Sequence, residues 1–339
     1  MVRQAVAGDP CRSAQDHQGA GVPELPERPG APVAALSPAL RGHLAMLGFS
    51  ALVAGSFSLG TRVANDLDPA ALNALRFVLA TLVIGVAVGW SAHQVRGPRG
   101  DPRPSQKAWH APWRYLVLGG LLSVYFVLMF EGLKTAPPVS AAAVFTLTPI
   151  LSAGFGWLLL RQITGPRIAL ALSIGGAGAL WVIFRADWAA LMRFEIGRGE
   201  IIYFWGCVAH AAYTPMVRKL NRGEPPVVFT FGTLLAGSAI LILWAWPELR
   251  GTDWAGLPIR VWIAVGYLAL FASAATFVLL QFAALRLPAA KVMAYTYLIP
   301  SWVILWEIAL GGALPTIWVL GGVLLTVLAL LLLLETRDT

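Results

Sequence analysis

Long apolar runs alternate with short polar segments along most of this sequence. From residue 43 onward ten apolar stretches recur, each near the 20 residues that an α-helix needs to cross a bilayer at about 1.5 Å per residue. They cover 43–63, 70–90, 113–133, 139–160, 167–185, 200–218, 227–246, 260–284, 290–311 and 315–334. The pattern predicts an all-α polytopic membrane protein with ten transmembrane helices, called here the first to the tenth span.

The first 40 residues differ from the rest of the chain. They are rich in proline, glycine and alanine, show no helical periodicity and lack the continuous apolar segment of a signal peptide. We therefore expect residues 1–40 to form a disordered cytosolic tail. The remaining chain divides into two halves of five spans each, at 41–186 and 187–335.

Composition and charge fix the class and favour one orientation. The chain is 58% hydrophobic and 12% charged, about half the charged fraction of soluble domains. If both ends are cytosolic, 17 of the 25 basic residues lie in cytosolic segments and 7 outside, with Arg76 inside a span. The positive-inside rule then predicts a multi-pass protein of the cell inner (plasma) membrane with both termini cytoplasmic.

The two halves contain an internal repeat. The segment "FEGLKTAPPVSAAAVFTLTP" (130–149) parallels "FAALRLPAAKVMAYTYLIP" (282–300), and each ends on a proline in the middle of a span. Five spans are an odd number, so the second repeat starts on the opposite side and the repeats are inverted. Because matched broken helices in inverted repeats are typical of transporter binding sites, we expect a central cavity near Pro149 and Pro300. A simple packing kink is the alternative for either proline.

Several segments resemble one transporter family. The segment "ALNALRFVLATLVIGV" resembles the second-helix pattern of the EamA-type transporters of the drug/metabolite transporter superfamily. "GLKTAPPVSAAAVFTLTPILSAGFGWLLL" and "AALRLPAAKVMAYTYLIPSWVILW" resemble its fourth and ninth helices, and "GEIIYFWGCVAHAAYTPMVRKL" is similar to the start of its second repeat. The resemblance implies two five-helix repeats with cytosolic ends, a central cavity, and export of amino acids or other small metabolites.

Two basic side chains within spans are candidates for substrate contact. Arg76 lies about two turns into the second span and cannot discard its charge, so it needs a partner or a wet cavity. It either binds a substrate carboxylate or ties the helix to a carbonyl cluster. His210, among small residues of the sixth span, can donate to a substrate or carry a coupled proton; an interhelical hydrogen bond is the alternative.

Two glutamates lie near the predicted outer ends of their spans. Glu307 is either an interfacial acid or an outer gate, proton acceptor or partner of a base such as Lys134. Glu131 is a second candidate for proton coupling or the outer gate. Its i, i+3 spacing from Lys134 also predicts a pair between the two.

Hydroxyl and amide side chains gather near the two broken segments. Such groups orient small polar ligands without the cost of a buried charge, although hydroxyls in helices more often bond to their own backbone. The candidates for substrate binding are Thr146, Gln281, Tyr295 and Tyr297. Large aromatic residues of the spans, such as Phe126 and Phe145, provide an apolar wall for a substrate or pack in the core.

These features predict a secondary transporter that exports a small metabolite, such as an amino acid, by alternating access. The sequence contains no phosphate-binding loop, zinc-ligand spacing or nucleophile elbow, so we expect no cofactor, no metal and no enzymatic activity. The net charge of +8 is assigned to basic loops and not to nucleic-acid binding. The expected partners are a small-molecule substrate and the lipid bilayer, with a homodimer left open. A membrane-embedded lipid-processing enzyme and a non-transporting sensor or assembly factor are the alternatives.

Overall fold

The computed structural model describes residues 37–94, 111–193, 195–284, 286–287, 289–312 and 315–335. These residues are helical and connected by short turns. The segment predicted to be a disordered tail falls, up to residue 36, outside the described residues.

The first repeat consists of five spans that match the apolar runs of the sequence. They are Pro38–Val63, Pro69–Gln94, Trp113–Leu133, Pro138–Phe145 continued by Thr148–Leu160, and Pro166–Ile183. Several of them begin with a proline, because the first turn of a helix does not need the backbone N–H that proline lacks. Ser37 caps the first span by accepting a hydrogen bond from the Leu40 N–H at 3.2 Å.

The second repeat has the same number of spans but two irregular ones. Its spans are Arg198–Leu220, Pro226–Trp244, Ile259–Ala269 continued by Leu270–Ala275 and Thr276–Ala284, Ala289–Ala294 continued by Tyr295–Leu298 and Ile299–Ala309, and Ile317–Glu335. Two short helices, Trp188–Arg193 and Trp246–Gly251, lie between spans.

Length and hydropathy single out nine of these spans. Among the described residues, nine helices are long and apolar enough to cross a membrane. The remaining span, Arg198–Leu220, is less apolar because charged side chains lie near both of its ends and Pro215 lies within it. The ten predicted spans therefore all exist as helices, and the all-α fold is confirmed.

The fourth and ninth spans are broken at equivalent places. The fourth is interrupted by a turn at 146–147 and resumes at Thr148, whereas the ninth passes through the 3₁₀ segment Tyr295–Leu298. Pro149 and Pro300 then occupy the first turn of the helix that resumes. Each proline is tolerated because it begins a helix and does not interrupt one.

Glycines bring some spans into close backbone contact. A Cβ added at Gly178 of the fifth span would lie 2.6 Å from the Gly322 carbonyl oxygen of the tenth. A Cβ at Gly132 of the third span would lie at the same distance from the Gly199 carbonyl oxygen of the sixth. Small residues permit such approach between membrane helices, where packing and not water exclusion drives association.

The alternation of the spans defines two faces of the bundle. We call the N-terminal face the one at which the first span begins, with the loops at 161–165 and 221–225. The opposite face carries the loops at 64–68, 134–137 and 252–258. The sequence predicts that the N-terminal face is cytosolic.

Candidate functional site

A cavity of about 570 Å³ lies between the two repeats and reaches the N-terminal face. Gln162, Ile163 and Arg218 line its mouth, and Ser56, Arg76 and Ala272 line its inner part. Among the described residues, the loops of the opposite face contribute nothing to its wall. The cavity therefore enters the bundle from one face and ends inside it, as a transporter with one closed gate requires.

Arg76 lies on the wall of this cavity with only 1% of its surface exposed. Its Nε donates to the Ser273 hydroxyl at 2.8 Å and its Nη2 donates to the Ala272 carbonyl at 3.1 Å. The guanidinium carbon lies 4.0 Å from the centre of the Phe126 ring. Nη1 has no hydrogen-bond partner, and no described carboxylate lies within ion-pair distance of the group. The cavity thus contains a fixed positive charge with donor capacity to spare.

A π-helical segment of the eighth span provides the partners of Arg76. Leu270–Ala275 forms this segment, whose wider turn interrupts the regular i to i−4 hydrogen-bond ladder. Both the Ala272 carbonyl and the Ser273 side chain that bind Arg76 come from it. Arg76 of the first repeat is in this way tied to the second repeat, and the Ala272 carbonyl is a contact of the kind that the second of its two predicted roles requires.

His210 lies on the same cavity, surrounded by aromatic rings. The centre of its ring is 4.6 Å from that of Tyr125, 5.3 Å from that of Phe145 and 6.1 Å from that of Tyr213. Its Nδ1 is buried without a hydrogen-bond partner. The interhelical hydrogen bond that the sequence offered as an alternative is therefore not formed by Nδ1. An aromatic wall with one polar nitrogen suits a planar or aromatic ligand group.

The two wall regions are adjacent. Tyr125 packs on Phe126 with ring centres 4.6 Å apart, so the ring beside His210 touches the ring beneath Arg76. The Tyr125 hydroxyl lies 3.2 Å from that of Tyr203, which fixes the orientation of the ring. A ligand with a charged end and an aromatic end can contact both regions at once.

The predicted prolines are placed differently with respect to the cavity. Pro149 lines it, at the start of the helix Thr148–Leu160. Pro300 is buried, and its helix packs on the first span and on Pro138–Phe145. The cavity is therefore asymmetric: the broken segment of the ninth span contributes Thr296 to its wall, but not the proline.

Thr146, Tyr295 and Tyr297 are not among the described residues that line the cavity. Thr146 donates to the Ala143 carbonyl at 2.7 Å, as expected for a hydroxyl in a helix. Tyr295 is 2.9 Å from Nδ1 of His43, and the Tyr297 ring packs on Gly175. The side chain of Gln281 lies outside the described residues. Of the eight residues predicted for substrate binding, the structure brings Arg76, Pro149 and His210 onto one cavity.

Ion pairs join the spans at the opposite face. Arg62 at the end of the first span binds Glu307 of the ninth, with Nη1 to Oε1 at 3.1 Å. Arg260 binds Asp66 through two hydrogen bonds of 2.8 Å, and these lower the pKa of the Asp66 carboxyl. The partner of Glu307 is thus Arg62 and not Lys134.

Lys134 binds Glu131 at 2.6 Å, which confirms their predicted pairing. This pair is local to the end of the third span, whereas the Arg62 and Arg260 pairs connect separate spans. The latter two join different parts of the chain at the opposite face.

A second buried arginine lies at the N-terminal face. Arg114 of the third span donates from Nη1 to the Leu220 carbonyl and from Nη2 to the Glu224 carboxylate, both at 2.6 Å. Burial alone would raise the pKa of Glu224, but hydrogen bonds from Arg114 and the Arg222 N–H, with the charge of Arg114, outweigh it and lower this pKa. The pair fixes the loop at 221–225 to the third span.

Sequence reasoning missed several residues of the cavity. Thr276 on the wall and Ser273, which binds Arg76, belong to the run "ASAAT". The small side chains of this run in an apolar span were a usable signal for close packing or a cavity. Tyr125 and Tyr213 gave no such signal, because aromatic residues are common in spans and their direction depends on packing.

Comparisons with known proteins agree with the fold. The sequence model of the EamA-like transporter family matches residues 40–184 and 197–335. The chain is similar to the uncharacterized transporter YyaM of Bacillus subtilis (25% identity; 83% of this chain and 90% of that protein). It is also similar to the aromatic amino acid exporter YddG of Ancylobacter novellus (31% identity; 63% and 72%).

A solved crystal structure shares the fold with a TM-score of 0.62 and 22% identity, over 88% of this chain and 99% of that one. The family match spans both repeats and most of the chain. The protein therefore belongs to the EamA-like transporter family.

Proposed function

We propose that this transporter exports a small metabolite with an acidic group and an aromatic group, such as an aromatic amino acid or a related compound. Transport occurs by alternating access of the cavity between the repeats. The observation that carries the proposal is the cavity wall itself, on which Arg76 and the aromatic rings around His210 lie side by side.

The dimensions of the cavity support a small substrate. Its volume of about 570 Å³ falls within the range of about 300–1,000 Å³ that is usual for ligand pockets. One relative is named as an aromatic amino acid exporter, which agrees with an aromatic wall. Arg76 supplies the charge for a carboxylate, since a guanidinium matches that group with two parallel hydrogen bonds.

The two faces support the transport cycle. The cavity is accessible from the N-terminal face, while the Arg62 and Arg260 ion pairs close the opposite face. The Arg62–Glu307 pair is partly exposed and contributes roughly 1 kcal/mol or less. Arg260 is more exposed still, so both pairs can separate without a large barrier. With the N-terminal face in the cytosol, as the sequence predicts, this state loads substrate from the cell interior.

Counterflow in proteoliposomes tests the function. The purified protein, reconstituted into vesicles loaded with L-phenylalanine or L-tryptophan, should accumulate the same labelled amino acid, and empty vesicles should not. Tyr213→Leu removes a ring beside His210 and should weaken apparent affinity about 5- to 10-fold, from an aromatic contact of about 1 kcal/mol.

The matched control is Trp188→Leu, which changes an exposed aromatic residue outside the cavity and should leave transport unchanged. The proposal is wrong if well-folded protein gives no counterflow with any aromatic or aliphatic amino acid or related acid.

A further inference from the structure

We infer that the cavity selects aromatic carboxylates without an amino group over the amino acids that carry the same ring. This inference rests on the proposed function and names the preferred substrate class of the same cavity. It follows from how charged side chains are distributed between the cavity and the rest of the bundle.

The described wall of the cavity carries basic groups and no acidic one. Arg76 lies at its inner part, His210 in its aromatic part and Arg218 at its mouth. No aspartate or glutamate occurs among the described side chains that line it. An ammonium group binds most strongly where a carboxylate faces it, and these wall positions offer only neutral oxygens.

The described acidic residues of the spans bind partners outside the cavity. Glu131 binds Lys134 and Glu307 binds Arg62, both near the opposite face. Glu200 accepts a hydrogen bond from the Ser140 hydroxyl at 2.8 Å, near the start of the sixth span. The other described acids with side chains in view lie in loops or short helices: Asp66, Asp68, Asp187, Glu195, Glu224, Glu248 and Asp253.

The cavity offers an anion one buried donor group without a partner. Nη1 of Arg76 has no hydrogen-bond partner, although Nε and Nη2 of the same side chain are hydrogen-bonded. A carboxylate accepts from this free group and neutralises a buried cation.

An α-amino group on the ligand offsets part of the favourable free energy with which the carboxylate binds Arg76. It brings a second positive charge close to Arg76. It also loses its hydration on binding, and no described carboxylate of the wall compensates for that loss. The ring contacts with Tyr125, Phe145 and Tyr213 are the same for both ligand types, so they do not compensate. Ligands of equal ring and different charge should therefore bind in the order of their negative charge.

Three ligands that share a phenyl ring with a two-carbon chain separate the contribution of the carboxylate from that of the amino group. They are 3-phenylpropionate, L-phenylalanine and 2-phenylethylamine, with net charges near −1, 0 and +1 at neutral pH. Binding to the full-length protein in detergent is measured by ligand-induced thermal stabilisation and by titration calorimetry. We expect 3-phenylpropionate to bind at least about 10-fold more tightly than L-phenylalanine, and 2-phenylethylamine to bind more weakly than both.

Arg76→Gln identifies the group responsible. It should weaken 3-phenylpropionate binding at least about 10-fold and leave 2-phenylethylamine binding unchanged or stronger. A purely structural role of Arg76 would weaken all three ligands alike, because loss of the wall geometry does not depend on ligand charge. Arg250→Gln, on an exposed site of the short helix Trp246–Gly251, is the control for removing a positive charge outside the cavity and should preserve the order.

The outcomes distinguish the two proposals. If L-phenylalanine binds as tightly as 3-phenylpropionate, or more tightly, the inference is overturned and the transporter of aromatic amino acids stands. If no ligand of the series binds the wild-type protein and no related compound gives counterflow, both fail. The wild-type series does not depend on the folding of any variant.

Discussion

Arg76 and Arg114 are both almost completely buried, but their guanidinium groups have different kinds of partner. Arg114 is bound to a carboxylate, Glu224, at 2.6 Å. Arg76 is bound to a hydroxyl, a carbonyl and the face of a ring, and no described carboxylate is within ion-pair distance. The first arginine lies where a loop must be held, and the second lies on the cavity between the repeats.

This difference distinguishes a buried charge that the chain neutralises itself from one that it does not. Burying an ion costs several kcal/mol, and a protein that uses the ion only for structure normally supplies the counter-charge itself. At Arg76 the chain supplies neutral partners and leaves one donor group free. The counter-charge can then arrive with a ligand, which is the basis of both proposals above.

The largest effect is expected from breaking the Arg114 pair. Glu224→Ala leaves the Arg114 charge buried without its carboxylate and should lower the free energy of unfolding by about 3–5 kcal/mol. Unfolding of the purified protein by SDS in mixed micelles measures this change. Glu248→Ala, on an exposed site of a short helix, is the control and should have no measurable effect. An equal stability of both variants would mean that the pair does not hold the loop.

A smaller effect of the same pair should appear as a pH dependence. The pKa of Glu224 is lowered in the folded protein, so its contribution to stability is complete above the ordinary pKa of a glutamate. That contribution is lost as the pH falls through the lowered value, because the folded state must then bind a proton that the unfolded state already carries. Thermal unfolding between pH 3 and pH 7 should show this loss, and Glu224→Gln should reduce it.

The smallest effect on stability is expected at Arg76. Arg76→Gln removes charged hydrogen bonds to Ser273 and Ala272 but also removes the cost of a buried cation without a carboxylate. These two changes oppose each other, so the free energy of unfolding should stay within about 1 kcal/mol of the wild-type value. The same SDS titration provides the test. A loss as large as that of Glu224→Ala would show that Arg76 is structural.

Most of the fold could be predicted because bilayer thickness and backbone hydrogen bonding leave few solutions. Each apolar run became a helix, and the repeat motif placed the breaks of the fourth and ninth spans correctly. The π-helical segment at Leu270–Ala275 was not predicted. It depends on side chains from other spans, Arg76 among them, and a local pattern does not carry that information.

The site could be predicted only in part. Arg76 and His210 stood out because polar groups in spans are costly, and both lie on the cavity. The symmetry of the motif suggested equal roles for Pro149 and Pro300, but the cavity is asymmetric and only Pro149 lines it. A sequence repeat shows which residues of the two halves are equivalent. Which of them line a cavity depends instead on the tilt of each span in the conformation observed.

The backbone contact between Gly178 and Gly322 limits how this bundle can move. The two spans meet with no side chain between them, so neither can slide along the other without lifting it away. In the transport cycle proposed above, the fifth and tenth spans would therefore move as one unit. The other spans would then change position relative to this pair when access passes from one face to the other.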